Sequence, residues 1–205
     1  MPSSLGHVVI PGRLKGAALA AFLSWYEDEH GADALAARIA PLPATLLLEL
    51  GLDRRESLQI LASRWYDCRA IGVLLDAIVA DASAAEFERL ANAAAQAVMG
   101  STLRGVYQLL FSWLATPERY ARHCNRLWTS YHDTGTMRIE HTRGEAVCSI
   151  SNWSGHHPLL CAMCRASAEV IYREMGCERV QTLRECCVAD GGQACRFVTR
   201  WRAAT

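Results

Sequence analysis

The sequence predicts an α+β protein in which a helical N-terminal half precedes an antiparallel sheet of two hairpins with an intervening helix. Over residues 1–132, apolar residues recur at helical spacing, whereas from residue 133 onward short β-rich runs flank two glycine-containing turns. The chain has 205 residues and is 51% hydrophobic, which suits one domain. We therefore expect a single domain over residues 1–205, with 1–132 as its mainly helical part and 133–205 as its hairpin–helix–hairpin part.

The helices of the first half are predicted from periodicity and from the residues that start and stop them. Gly31 ends the first helix, Ser83 and Glu86 form a capping box, Gly100 marks a stop, and Pro117 suits a first helical position. A short strand is expected at residues 7–11. Helices are expected over residues 14–29, 56–66, 69–80, 83–99, 103–114 and 117–130.

The second half alternates strands and one helix. Strands over residues 136–142 and 146–150 flank a turn at Gly144, and strands over residues 179–188 and 195–201 flank a turn at Gly191 and Gly192. Between these hairpins a helix over residues 157–175 enters through Pro158 and closes at Gly176. This order predicts one antiparallel sheet with a helix packed on it.

Charge and motif content exclude several classes of function. The chain has 21 basic and 21 acidic residues and no run of like charges, which argues against a dedicated nucleic-acid-binding protein. It shows no signal peptide and no apolar run of membrane-spanning length, so a cytoplasmic protein without a membrane partner is expected. It also lacks G-x-S-x-G, H-E-x-x-H and phosphate-loop motifs, so the protein is predicted not to be an enzyme.

Cysteine is the most informative residue type. There are nine cysteines, an odd number, so a disulfide framework is not expected. The segment after residue 160 contains six of them: Cys161, Cys164, Cys177, Cys186, Cys187 and Cys195. Cys161 and Cys164 share a helix face, and Cys187 and Cys195 lie on the two arms of one hairpin. Their convergence would suit tetrahedral zinc, but buried cysteines also serve as small core residues, and spacing leaves both readings open.

Residues 158–201 resemble the end of vinyl-reductase-type (4-vinyl reductase) small-molecule-binding domains. This family belongs to a fold group that includes the haem-nitric-oxide domains and the trafficking-complex subunits. The resemblance implies a homodimeric sensor that binds a small apolar or aromatic ligand. The matching residues are Cys161, Gly176, Val180, Cys187, Gly191, Gly192, Cys195 and Phe197.

The same resemblance implies a structural zinc ion held by three cysteines and one glutamate. Cys161, Cys187 and Cys195 match the cysteines, but Arg184 stands where the glutamate is expected. Glu185, its neighbour, is therefore taken as the fourth ligand. The other candidates for that place are Cys164, Cys177 and Cys186.

Upstream motifs are similar to a large uncharacterised family of myxobacterial paralogues, about as long as this chain. That resemblance implies no biochemical role. It rests on Arg64-Trp65-Tyr66, Thr116-Pro117-Glu118, Leu127-Trp128 and Asp133-Thr134-Gly135.

The sensors that the chain resembles hold their ligand in an apolar pocket between helices and sheet. Tyr107, Phe111 and Trp113 are the residues proposed to line such a pocket here, although core packing would also explain them. The alternative functions are a dimeric interaction scaffold without a ligand and a haem- or tetrapyrrole-binding protein.

Three histidines come into question as ligands of haem or of a metal. His123 lies on a predicted helix, and His156 and His157 precede the helix that starts at Pro158. However, haem-nitric-oxide domains carry a Y-x-S-x-R signature for the haem propionates, and this sequence has none. A haem is accordingly not expected.

Overall fold

A computed structural model describes residues 12–52, 60–104 and 116–202 of the chain. Most of the helices in these ranges precede the main sheet, which confirms the predicted helical N-terminal half. Their bounds are α1 Gly16–His30, α2 Ala32–Ile39, α3 Ala44–Leu50, α4 Cys68–Val79, α5 Ala84–Arg104, α6 Pro117–Tyr131 and α7 Pro158–Glu174.

A local signal starts α5 where the sequence predicted it, whereas α2 and α3 were not predicted as helices. The backbone N–H of Ser83 donates to Glu86 Oε2 at 2.8 Å, and the N–H of Glu86 donates to Ser83 Oγ at 3.3 Å, as in a capping box.

Gly100 does not stop α5, which continues to Arg104, because one glycine costs a helix only about 1 kcal/mol. A stop at Gly100 was therefore a wrong prediction.

The helix predicted over residues 56–66 is wrong at its C-terminal end. Strand β2, Trp65–Asp67, pairs antiparallel with β1, Arg13–Lys15, and places Tyr66 opposite Leu14. Both of these side chains are buried, so pairing with a distant segment overrides the helical spacing of the local sequence. Residues 53–59 and the strand predicted at residues 7–11 lie outside the described residues.

The main sheet has four strands in the order β3-β4-β6-β5, and all neighbouring strands are antiparallel. The strands form two hairpins, and α7 runs between the hairpins in sequence, as predicted. Helix α7 packs on β5 and β6 and also contacts α5. The strand bounds are β3 Thr136–Thr142, β4 Glu145–Ser151, β5 Glu178–Cys186 and β6 Ala194–Arg202.

The small strand β1 ties the helical half to the end of α6. Leu14 forms an isolated antiparallel bridge with His132, and the N–H of Asp133 donates to the carbonyl oxygen of Arg13 at 3.1 Å. The residue that ends α6 is thus fixed against the N-terminal half. Within the described ranges, no helix is both long enough and apolar enough to cross a membrane.

Candidate functional site

An apolar cavity of about 240 Å³ lies between the N-terminal helices and the pair α6 and α7. Phe22 of α1 and Leu75 of α4 form part of one wall, and Trp128 of α6 and Met163 of α7 form part of the other. Among the described residues that line the cavity there is no lysine, arginine, aspartate or glutamate. The cavity therefore suits a largely apolar group.

His132 brings a polar atom to the wall of this cavity. Its side chain is buried, and its Nδ1 atom has no hydrogen-bond partner among the described residues. Burial lowers the pKa of His132 to about 3, so the imidazole is uncharged at neutral pH. A buried nitrogen without a partner costs free energy, and a bound group could supply the missing contact.

Four rings form a continuous aromatic column that leads away from the cavity: Trp128, His132, Trp153 and His156. His132 stacks on Trp128 with ring centroids 3.8 Å apart. Trp153 meets Trp128 edge-on at 4.9 Å and His132 at 5.3 Å. Trp153 then meets His156 at 5.1 Å. One end of the column lines the cavity, and the other ends at a cluster of cysteines.

The cysteine–histidine cluster consists of His156, Cys161, Cys187 and Cys195, whose candidate ligand atoms all lie within 4.8 Å of one another. The Sγ atom of Cys187 lies 3.5 Å from that of Cys161, 3.7 Å from that of Cys195 and 3.2 Å from Nε2 of His156. These distances exceed a disulfide bond length by far. For zinc–sulfur bonds of about 2.3 Å, a tetrahedron has sulfur–sulfur edges of about 3.8 Å, close to the distances found here.

Three separate elements position the three sulfurs. Cys161 lies in the first turn of α7, where its N–H donates to the carbonyl oxygen of His157 at 2.9 Å. Cys195 lies on β6 opposite Ile150, and Cys187 directly follows β5. A Cβ atom on Gly192 would come within 2.8 Å of the Cys187 carbonyl oxygen, so the turn between β5 and β6 requires this glycine.

The electrostatics of the cluster favour one thiolate. A hydrogen bond between the Cys161 and Cys195 side chains lowers the pKa of Cys195 and raises the pKa of Cys161. Contact with His156 further lowers the pKa of Cys195. A thiolate held among buried thiols is the form of cysteine that binds metal ions.

The structure brings together the three cysteines that the sequence singled out, but not the predicted glutamate. Glu185 instead forms an ion pair with Arg196 at 2.7 Å, at a half-exposed place outside the cluster. His156 stands in the fourth place. The sequence had marked His156 as a possible metal or haem ligand, whereas the resemblance pointed to a carboxylate.

Arg184, which stands where the resemblance expects a carboxylate, brings a positive charge towards the cluster. Burial lowers the pKa of Arg184, but the charges of Cys187, Cys161 and Asp190 and a hydrogen bond to Cys161 together raise it above its ordinary value. Arg184 also lies 3.6 Å from Asp190. A guanidinium group near a thiolate offsets part of its negative charge.

The remaining predicted site residues were expected at a ligand pocket rather than at the cluster. Tyr107, Phe111 and Trp113 lie outside the described residues, so their proposed role stays a prediction. His123 is not among the described residues that line the cavity, whereas Cys124 lines it and donates its thiol to the carbonyl oxygen of Ala121. Sequence reasoning missed His132, because it lies just beyond the helix predicted over residues 117–130 and no local motif marks it.

Neither family models nor curated proteins match this chain. Solved structures do match its fold. The Fe(II) unliganded H-NOX protein from K. algicida is 13% identical with a TM-score of 0.67, covering 93% of this chain and 98% of that one. A structure from a study of haem distortion in the H-NOX family is 6% identical with a TM-score of 0.61, covering 94% and 97%. An oxygen-binding H-NOX domain related to soluble guanylate cyclases is 6% identical with a TM-score of 0.56, covering 93% and 96%.

The chain thus has an H-NOX-like fold, which confirms the predicted fold class and fold group. The comparisons contradict the expectation that haem is unlikely, because the H-NOX structures that match the fold include an Fe(II) protein and one from a study of haem distortion. That expectation rested on the absence of the Y-x-S-x-R signature, which is a property of a short sequence segment and not of the fold. The vinyl-reductase and myxobacterial resemblances stay predictions.

Proposed function

We propose that this protein is a sensor domain that holds a flat, largely apolar prosthetic group in its cavity, with haem as the first candidate. The observation that carries the proposal is His132, a buried and uncharged imidazole with an unpartnered nitrogen at the wall of an apolar cavity. Neutral imidazole is the form that binds haem iron. H-NOX proteins of the same fold support this choice of group.

The residues present fit such a group in two respects. The side chains of Phe22, Leu75 and Met163 would pack against an apolar ring system and exclude water from it. His132 would hold the metal, because the low pKa of its imidazole keeps a lone pair available at neutral pH. Haem iron, when bound, supplies a site for small gaseous ligands.

Titration of the purified full chain with haemin tests the proposal. We expect saturable growth of a Soret band with a stoichiometry of one haem per chain, and a change in that band when carbon monoxide is added to the reduced protein. A spectrum that remains the sum of free haemin and protein would reject haem as the group.

Haem propionates are commonly paired with cations, but the described residues that line the cavity include no basic side chain. This observation supports a second candidate function, in which the cavity binds no haem. Under this alternative the cavity takes a small aromatic or apolar ligand directly, and His132 Nδ1 makes its one polar contact. Calorimetric titration with phenol, in parallel with haemin, separates the two candidates. The vinyl-reductase resemblance supports this alternative, and it also implies a homodimer, which light scattering after gel filtration would test.

We further propose that the cysteine–histidine cluster binds a structural zinc ion through Cys161, Cys187, Cys195 and His156. Four protein ligands at tetrahedral spacing leave no position for a reactive water molecule, so the ion would join α7 to the last hairpin rather than act as a catalyst. Elemental analysis of protein purified without added metal tests this. About one zinc ion per chain supports the assignment, and a metal-free protein rejects it.

A further inference from the structure

We propose that the aromatic column couples the cavity to the cysteine–histidine cluster, with His156 as the exchangeable metal ligand and Trp153 as the residue that positions it. This inference rests on the proposed function, because it requires a group in the cavity and a metal ion in the cluster. Binding of a group in the cavity would thereby change metal release from the cluster, which neither site by itself implies.

The four ligands of the cluster are not equivalent. Cys161, Cys187 and Cys195 are fully buried and lie on, or directly after, helices and strands. His156 is only partly buried and lies in the loop between β4 and α7. Its backbone is held by a turn in which its N–H donates to the carbonyl oxygen of Trp153 at 3.3 Å. Of the four ligands, His156 can therefore leave the metal at the lowest structural cost.

Trp153 links this ligand to the wall of the cavity. It is 5% exposed, belongs to a buried apolar cluster with Ile150 and Phe197, and its Nε1 atom has no hydrogen-bond partner among the described residues, so packing rather than hydrogen bonding holds its side chain. The rings packed on it are Trp128 and His132 on the cavity side and His156 on the cluster side. A shift of His132 or Trp128 thus displaces Trp153, because close-packed rings leave no free volume to absorb the movement.

The rest of the loop is fixed on the side away from the column. A Cβ atom on Gly155 would lie 2.5 Å from Cys68 Sγ, so the loop backbone is pressed against the start of α4 and cannot retreat there. Displacement of Trp153 is then passed to His156. When a bound group contacts His132, the position of His156 relative to the three sulfurs changes, and with it the rate at which the metal ion is released.

Zinc release from the zinc-loaded full chain tests this coupling. The release rate is measured with a chromogenic chelator, with and without saturating haemin, and haemin binding is followed by its Soret band. We expect haemin bound in the cavity to change the zinc release rate by about fivefold or more, in the range of typical allosteric couplings. By reciprocity, zinc loading should change haemin affinity by the same factor as occupancy changes zinc affinity.

Substitutions of Trp153 assign the coupling to the column. Trp153→Ala should make the release rate independent of haemin, whereas Trp153→Phe keeps a ring in place and should retain the effect. Trp65→Ala, which removes a half-buried indole from β2, is the matched control and should leave the effect intact. Haemin-dependent release that persists at full strength in Trp153→Ala would overturn the proposal.

The outcomes separate this inference from the proposed function. A clear Soret band with equal zinc release rates rejects the coupling but leaves haem binding standing. Absence of a Soret band rejects haem. The coupling is then tested by zinc release rates in a double-mutant cycle of Trp153→Ala and His156→Ala, without any added group. If Trp153 positions His156, the double variant releases zinc no faster than His156→Ala does. Multiplicative effects of the two substitutions, or a wild-type chain that retains no zinc, would reject the coupling.

Discussion

The imidazole of His132 lies flat on the indole of Trp128, with ring centroids 3.8 Å apart and planes only 9° from parallel. The two residues are four positions apart: Trp128 lies in the last turn of α6, and His132 directly follows the helix, where its N–H donates to the carbonyl oxygen of Trp128 at 2.9 Å. Trp128 Nε1 is satisfied by the carbonyl oxygen of Thr134 at 2.9 Å, whereas His132 Nδ1 is left without a partner. Of these two residues that line the cavity, His132 is therefore the one that offers an unpartnered polar atom to a bound molecule.

The first prediction concerns His132 as a haem ligand. His132→Phe keeps a flat ring on Trp128 but removes the nitrogen, so haemin affinity should fall by at least about tenfold, or about 1.4 kcal/mol. Without haemin the variant should be as stable as the parent, because it removes an unsatisfied buried group. His123→Phe, on the same helix, is the control. If the haemin spectrum changed in His123→Phe but not in His132→Phe, the haem ligand would be His123 and the prediction would be wrong.

The second prediction concerns the cluster. Cys195→Ser should abolish zinc retention and lower the free energy of unfolding by about 3 kcal/mol or more, because a structural ion stabilises the fold to which it binds. Cys186→Ser, next to the cluster and half-buried, should retain zinc. Elemental analysis and urea unfolding of both variants check this. Equal melting temperatures for parent and Cys195→Ser would exclude a structural zinc ion.

The third prediction concerns the identity of the fourth ligand. His156→Ala should weaken zinc binding, and adding Arg184→Glu should recover part of it by placing a carboxylate where Arg184 now approaches the sulfurs. Cobalt(II) in place of zinc reports the ligands through its visible absorption bands. Glu185→Gln is the control, because Glu185 is paired with Arg196 outside the cluster. Loss of metal in Glu185→Gln with retention in His156→Ala would reverse the assignment.

The fourth prediction concerns pH. Since burial lowers the pKa of His132 to about 3, the unfolded chain binds a proton near pH 6.5 that the folded chain does not bind. The titration of His132 therefore does not affect the free energy of unfolding above pH 6.5, and it lowers that free energy progressively as the pH falls from 6.5 towards 3. Relative to His132→Phe, the parent should lose about 1.4 kcal/mol of unfolding free energy between pH 7.5 and pH 5.5. Urea unfolding of haem-free protein, with both chains in the same metal state, measures this, and parallel pH profiles would contradict it.

The fifth prediction concerns His157, which joins α7 to α4. Its Nδ1 atom accepts the N–H of Leu159 at 3.1 Å, capping α7, and its Nε2 atom lies 3.1 Å from Asp76 Oδ1. His157→Ala should cost about 1–2 kcal/mol through loss of the buried cap. Asp76→Ala should cost less than about 1 kcal/mol, because the carboxylate is largely exposed. Thermal unfolding would contradict this account if Asp76→Ala were the more damaging change.

Much of the fold was predictable because its signals are local. The Ser83 capping box, the proline that starts α7 and the glycines of the last hairpin each act over a few residues, and each lies where the sequence indicated. Strand β2 was not predictable in this way. Its partner β1 lies about 50 residues earlier in the chain, so periodicity around Tyr66 carried no information about the pairing.

The sequence by itself determined the fold class and the two hairpins, because turn residues and strand patterns are written in short segments, whereas cysteine spacing left a metal site and core packing both open. Only the tertiary structure decided that His156 rather than Glu185 completes the cluster, and that His132 faces an apolar cavity. Both outcomes depend on packing between elements far apart in the chain. There the burial of Trp128 and Trp153, rather than any local preference, fixes where each imidazole lies.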